Sequence, residues 1–481
     1  MKKRLHLILI ALVWLLVLAG CQASETMEKS SVGVVPSSTE TSSDPLRICV
    51  DLAYLGIENV SPDYSHENAV ENAVQGLMLN LAEKGQTLEY EIEVIPKEET
   101  ARKSMLTRLR TEMMSGEGPD VFIMGCAGGP LGDDADALFS VPEKAMENAL
   151  FLPLDEYMES RTQYTEWDKQ LSVVMDAGRN ESGQLIVPLS YTMPVAFYRA
   201  EDITEKPDAA TTWQDMLEDE SGILPAAAEW NHMRDGFVHM HGNYIEYTFG
   251  QLADYESEEL TFSEEELFAR IEEIYTLNQE YAAGKYSVPA HYQTCLSVDF
   301  NNASGANLSF AQGQYTAEED PFCGIKPLDT QTMVPVYSDD GGAVAVILAY
   351  AAVNINTRDP EGAFAVIDIL MDRKTQQSAV LYTQWFTQLY GMPMHTDLLQ
   401  PQYPMMNISG GKTWYLSEEN YAEYCRLREQ ITHARFRGGL DIELNDAYYA
   451  YEKAVRNGES AEKQREIAAE YYSRTKRLLG E

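Results

Sequence analysis

Met105, Leu109 and Met113 recur every four residues with Leu106 beside them, which makes one apolar stripe along a helix. Gly116 and Gly118 break the pattern, Gly116 in the place of a left-handed C-terminal residue, and Pro119 prevents the helix from resuming. Val121, Phe122, Ile123 and Met124 then form a short apolar run of buried-strand type that ends at Gly125. The same change of period occurs upstream. Residues 46–52, LRICVDL, read as a first strand, and Ala69, Val70, Ala73, Val74, Leu77, Met78 and Leu81 follow helical spacing up to Gly85. Leu88, Tyr90, Ile92 and Val94 alternate with Glu89, Glu91 and Glu93, a half-exposed strand. The order βαβαβ predicts an open α/β lobe, whose ligands bind in the crevice beyond the carboxyl ends of the strands. No G-x-G-x-x-G follows the first strand, so a dinucleotide site has no support.

Further along, residues 183–198 (GQLIVPLSYTMPVAFY) and 341–356 (GGAVAVILAYAAVNIN) read as strand regions. Thr212 caps a short helix beginning at Trp213, and Ser263 with Glu266 makes a capping box before the helical face Leu267, Ile271, Ile274 and Leu277. Asp359, Pro360 and Glu361 start another helix, with Ala363, Phe364, Ile367, Leu370 and Met371 on one face. Residues 421–433, 440–455 and 460–479 are expected to be helical.

At 481 residues the chain exceeds one ordinary core, so two or three domains are expected. Its net charge is −40, and −43 once Lys2, Lys3 and Arg4 are set aside. Such a surface repels nucleic acid and anionic lipid heads and favours a neutral or cationic ligand. Lys2, Lys3 and Arg4 precede an apolar run to Leu18, and Leu18, Ala19, Gly20 and Cys21 form a small-residue cleavage site. This resembles a bacterial lipobox, which implies cleavage before Cys21, lipid on its sulfur and an extracytoplasmic, membrane-anchored protein of a Gram-positive-type bacterium. Residues 22–45 lack helical period and read as a tether. Cys49, Cys126, Cys295, Cys323 and Cys425 are odd in number and hold no C-x-x-C pair, so buried free thiols are expected.

A helix followed by SGEGPDVFIMG resembles the signature segment of extracellular solute-binding proteins of family 1, the substrate-capturing lipoproteins of ABC importers, many of which bind sugars. Other segments fit that family in order. Residues 151–156 resemble its first crossing between lobes, and residues 183–198 a strand that reaches the cleft and returns. Trp213 stands where the family tends to carry tryptophan, and Phe310, Gly313 and Tyr315 fall in its F-x-x-G segment. The strand, charged turn and helix of residues 341–371 resemble the second crossing, and Gly391, Met392 and Pro393 the third. The resemblance covers essentially the whole mature chain. It implies an α/β, two-lobed periplasmic-binding-protein-like fold of type II, with lobe 1 at residues 46–152 and 350–392 and lobe 2 at 153–349 and 393–481. It also implies a monomer without cofactor or catalysis, closing about a hinge and delivering its solute to permease subunits.

Enzyme signals are weak by comparison. Gly410, Gly411, Lys412 and Thr413 imitate the end of a P-loop, but position 406 is methionine rather than the required glycine. His232, His239 and His241 match no common zinc spacing, and no G-x-S-x-G is present. Asp133 with Asp134 and Asp339 with Asp340 are pairs expected by chance in so acidic a chain. An extracellular glycan-processing enzyme, the alternative from another class, would need two carboxylates facing each other across a cleft. A sensory partner of a membrane receptor would share the fold. The 28 Tyr and 6 Trp suit a sugar site, since flat faces stack on C–H groups and polar tips reach hydroxyls. Tyr448, Tyr451 and Tyr471 are assigned to helix seams. The family layout puts Tyr54, Tyr191, Trp230, Tyr315 and Trp385 at strand ends beside the cleft. Gly125, Cys126 and Ala127 are expected to deliver backbone N–H groups there, facing Ser190, Tyr191 and Thr192 from the other lobe.

Overall fold

The protein is represented by a computed structural model that describes residues 44–51, 66–126, 136–199, 203, 206–228, 245–286, 292–295, 331–377, 392–398, 400, 405–407, 412–414 and 418–480. The expected opening is present: β1 (Leu46–Asp51), α1 (His66–Glu83), β2 (Tyr90–Val94), α2 (Glu99–Met114) and β3 (Val121–Gly125). β1 lies between β2 and β3 and runs parallel to both. Covered on both faces, it buries Ile48, Cys49 and Val50 completely, as a central parallel strand does. The stripe on α2 buries Leu106 and Leu109. Its end falls where the glycines predict, with Gly116 at φ +80° and Gly118 at φ +108°, a region other residues enter only with strain.

The chain continues through α3 (Pro142–Glu147), β4 (Ile186–Thr192), β5 (Pro194–Arg199), α4 (Trp213–Glu218), α5 (Glu264–Ala282), β6 (Tyr292–Cys295), β7 (Gln331–Pro335) and β8 (Ala343–Val353). It closes with α6 (Pro360–Met371), β9 (Met392–Pro393), α7 (Glu418–Arg428), β10 (Ile431–Phe436), α8 (Gly439–Arg456) and α9 (Ala461–Leu479). The cap at Thr212 and the capping box at Ser263 form as expected, and Asp215 completes a capping box at Thr212 as well.

The large sheet has the order β9-β4-β8-β3-β1-β2, with β10 also paired to β8, and a smaller antiparallel sheet has the order β6-β5-β7. β8 organises both. Residues 343–347 pair with β10, whereas residues 349–353 lie between β3 and β4 and antiparallel to both. Its side chains alternate between faces, so Ala343, Ala345 and Ile347 enter one core while Val344 and Val346 enter another. The first core gathers around β1, β3, β4 and α6, and the second around α4, α5, α8 and α9. After β4 the chain leaves the first core at Val195 and joins the second at Ala196.

One element differs from expectation. The helix expected over residues 421–433 stops at Arg428, and residues 431–436 form β10. The β-branched Ile431 and Thr432 follow Gln430, whose carbonyl accepts Ala343 N–H at 2.7 Å, so pairing with β8 decides the structure there. Tyr448 and Tyr451 are buried in the second core and Tyr471 packs against it half-buried. Cys49 and Cys126 are buried free thiols, and Cys425 is a half-buried one. Among the described residues no helix is long and apolar enough to cross a membrane.

Candidate functional site

The carboxyl end of β3 meets the middle of β8. Ala349 pairs with Gly125 on one side and with Ser190 on the other, so those two lie two strand spacings apart, about 9–10 Å. Cys126 N–H continues the ladder by donating to the Leu348 carbonyl at 2.7 Å. Ser190 and Tyr191 pair in turn with Pro393 and Met392 of β9. Residues from four separate stretches of the chain thus converge on one row.

Gly125, Cys126, Ser190, Tyr191 and Thr192 are all buried in this conformation. Tyr191 has no exposed surface, and its hydroxyl lies 3.2 Å from that of Tyr424 on α7. Strand neighbours β8 and β9 flank it and α7 covers it, so neither ring face is open to a ligand. Burial pushes its phenol well above the ordinary range, and Tyr424 adds to the shift. Burial, then the carboxyls of Glu143 and Asp441, likewise hold the Cys126 thiol well above its usual value, which makes it an inert thiol rather than a nucleophile. Tyr54, Ala127, Trp230, Tyr315 and Trp385 lie outside the described residues, as do Cys21 and the three clustered histidines.

A second feature frames the strand ends. Arg102 on α2, itself buried, grips Asp51 at the end of β1 through two nitrogens at 3.0 and 2.5 Å. Its remaining N–H groups donate to the carbonyls of Asp136 at 2.7 Å and Pro96 at 3.3 Å. One guanidinium thereby ties the end of β1 to the segment that follows β3. Nothing in the sequence marks Arg102, because its partner sits 51 positions away.

A cavity of about 580 Å³ opens between segments of the two cores. Glu143, Met146 and Val173 line it on one side, Leu252 and Tyr255 on the other, with Arg435 between them. Among the described residues no three His, Cys, Asp or Glu side chains come together as metal ligands would.

No protein-family model and no curated protein matches the chain. Solved structures do. An extracellular solute-binding protein of family 1 from Alicyclobacillus acidocaldarius superposes over 92% of this chain and 100% of its own, with a TM-score of 0.50 and 13% identity. The sugar-binding protein MalE from Xanthomonas citri superposes over 90% and 97%, with a TM-score of 0.51 and 13% identity. At such identity the likeness is one of shape, and the shape is the two-lobed α/β fold of extracellular solute-binding proteins of family 1.

Proposed function

We propose that this protein is a lipid-anchored, extracytoplasmic solute-binding protein that captures a sugar or oligosaccharide and delivers it to the permease of an ABC importer. The observation that carries the reading is β8, a single strand that serves both cores, in a chain whose shape matches binding proteins over nine-tenths of its length. The names of those two neighbours, one solute-binding and one sugar-binding, support a carbohydrate ligand. Lobe 1 comprises residues 46–152 and 350–392 and lobe 2 residues 153–349 and 393–481, and β8, whose side chains enter both cores, supports a strand shared between them. Gly125, Cys126, Ser190 and Thr192 form the floor of the cleft in this reading, with Tyr191 beneath it on Tyr424, and Tyr54, Ala127, Trp230, Tyr315 and Trp385 are the further ligand contacts that the family layout suggests. Because the floor is buried in the conformation described, ligand reaches it only when the lobes part. Cys21 carries the lipid, and residues 22–45 hold the body off the membrane.

A thermal-shift screen over sugars, oligosaccharides, peptides and polyamines tests the reading, since a ligand at a hundred times its Kd stabilises the state that binds it by about 2.7 kcal/mol. A rise in melting temperature with an oligosaccharide recovered intact is expected. Cleavage of that oligosaccharide would instead support the glycan-processing alternative, and no shift with any sugar would remove carbohydrate as the ligand. X-ray scattering should register a smaller radius of gyration with the ligand bound.

A further inference from the structure

Where the two cores meet, three carboxyl groups and two guanidinium groups are almost entirely withdrawn from water. Glu143 of α3, Glu246 of the 3-10 turn Ile245–Thr248 and Asp441 of α8 are 6%, 1% and 2% exposed. Arg435 at the end of β10 and Arg437 just beyond it are 6% and 1% exposed. Fully ionised, the five would leave one uncompensated negative charge in a medium that penalises it by several kcal/mol.

The hydrogen bonds indicate where the excess falls. Asp441 is satisfied, taking Arg435 Nε at 2.9 Å and Gly438 N–H at 2.9 Å. The other two Arg435 nitrogens donate to the backbone carbonyls of Gly250 at 2.7 Å and Glu246 at 2.6 Å, so each of its nitrogens already serves a partner other than the Glu246 or Glu143 carboxyl. Glu246 faces Arg437 Nε at 4.0 Å, and neither of its carboxyl oxygens has a hydrogen-bond partner among the described residues. Glu143 faces Cys126, Tyr255, Arg435 and Asp441, and accepts Phe436 N–H at 3.4 Å.

We propose that this cluster is a proton-linked latch between the two cores: the buried carboxyls of Glu143 and Glu246 are protonated when the seam is tight, and their ionisation as the pH rises to neutrality loosens it. Glu143 joins α3 to β10 and α8, and Glu246 joins the turn after residue 244 to the same two elements, so charging either strains the contact between cores. The cavity that Glu143, Tyr255 and Arg435 line gives solvent protons access to the site. Burial, the largest cause, raises both carboxyls from their ordinary value to about 7, opposed at Glu246 chiefly by Arg437 and at Glu143 by backbone N–H groups. A raised carboxyl means that the folded state binds the proton more tightly than the unfolded chain. The stability it contributes is therefore complete below about pH 4.5, falls as pH rises through about 7, and levels off beyond.

The direct test is carbon-detected titration of the wild-type protein carrying labelled glutamate. Two side-chain carboxyls with midpoints near pH 7, absent from E143Q and E246Q respectively, are expected; completion of every glutamate titration by about pH 5.5 would overturn the proposal. Glutamine keeps the shape of the protonated acid without its charge. The melting temperature of the double variant should therefore gain on wild type from about pH 5 to about pH 7 and then level off, and a constant difference would overturn the latch. Hydrogen exchange places the effect. Wild-type residues 142–147 and 245–250 should lose protection between about pH 5 and about pH 7 beyond the intrinsic acceleration of exchange, and equal behaviour in wild type and the double variant would refute a seam that responds to the proton.

Discussion

The hydroxyl of Tyr191, at the end of β4, lies 3.2 Å from the hydroxyl of Tyr424 on α7, and both rings are buried. One donates to the other between residues 233 positions apart, so the pair fastens α7, the last helix before β10, to β4. Arg428, one turn beyond Tyr424, holds its guanidinium 5.3 Å from the Tyr424 ring centre.

Tyr191→Ala should accordingly cost about 3–5 kcal/mol of stability, the range for deleting a large buried ring. Tyr191→Phe, which keeps the ring and removes one hydrogen bond to Tyr424, should cost only about 0.5–1.5 kcal/mol. Chemical denaturation of both variants checks the pair. A near-neutral Tyr191→Ala would mean that the ring lines an open space, as a stacking surface for ligand would.

The Asp51–Arg102 pair predicts a different signature. Arg102→Met leaves Asp51 buried without its guanidinium and should cost about 3–5 kcal/mol. Asp51→Leu combined with Arg102→Met removes both charges, and should cost clearly less than the two single changes added together. A double-mutant cycle by urea unfolding measures the coupling, and simple additivity would show that the brace contributes packing alone.

The periodic elements were legible because each period has one cause. Alternation at residues 88–94 and the four-residue stripe at 105–113 report a half-exposed strand and a one-sided helix, and both form there. Residues 431–433 were not legible as strand, since only pairing with β8 makes them one. Register between distant strands is equally silent: nothing in the sequence says that Gly125 and Ser190 flank the same alanine. The bridge from Phe151 to Asn354 is likewise invisible in the sequence, because it joins residues 203 positions apart. Among 76 acidic residues, composition gives no sign that Glu143 and Glu246 are the ones withdrawn from water.

Asp368 on α6 holds the loop of residues 162–165 to the first core. Its carboxylate accepts Thr162 Oγ1 and Gln163 N–H at 2.7 Å, Tyr164 N–H at 3.0 Å and Thr165 N–H at 3.1 Å, while its backbone carbonyl accepts Thr165 Oγ1 at 2.6 Å. Asp368→Asn preserves volume but turns an amide donor toward these donors. A loss of about 2–4 kcal/mol is expected, from one or two unmatched buried groups. Faster proteolysis within residues 160–166 should accompany it, and unchanged cleavage would contradict the loop-holding role.

Gly342 sets where β8 begins. Its φ of +73° lies in the left-handed region, and a Cβ built there would strike the Thr432 side chain and lie 2.8 Å from the Gln430 carbonyl oxygen. Its N–H donates to the Thr211 carbonyl at 2.9 Å and its own carbonyl accepts Ser338 N–H at 2.9 Å, so the backbone cannot swing aside without losing both. Gly342→Ala therefore combines a left-handed cost of about 1 kcal/mol with an overpacking cost of about 1–3 kcal/mol. Gly458 separates the two terms, since its φ is +72° but a Cβ there meets nothing within 4 Å. Gly458→Ala should show the conformational cost alone, and the difference between the two variants gives the contact. Adding Thr432→Ala to Gly342→Ala should recover part of that difference but not all, because the Gln430 carbonyl stays in place. Equal losses at Gly342 and Gly458 in urea unfolding would show that the start of β8 has room to shift, and that its register is held farther along, where Ala349 lies between Gly125 and Ser190.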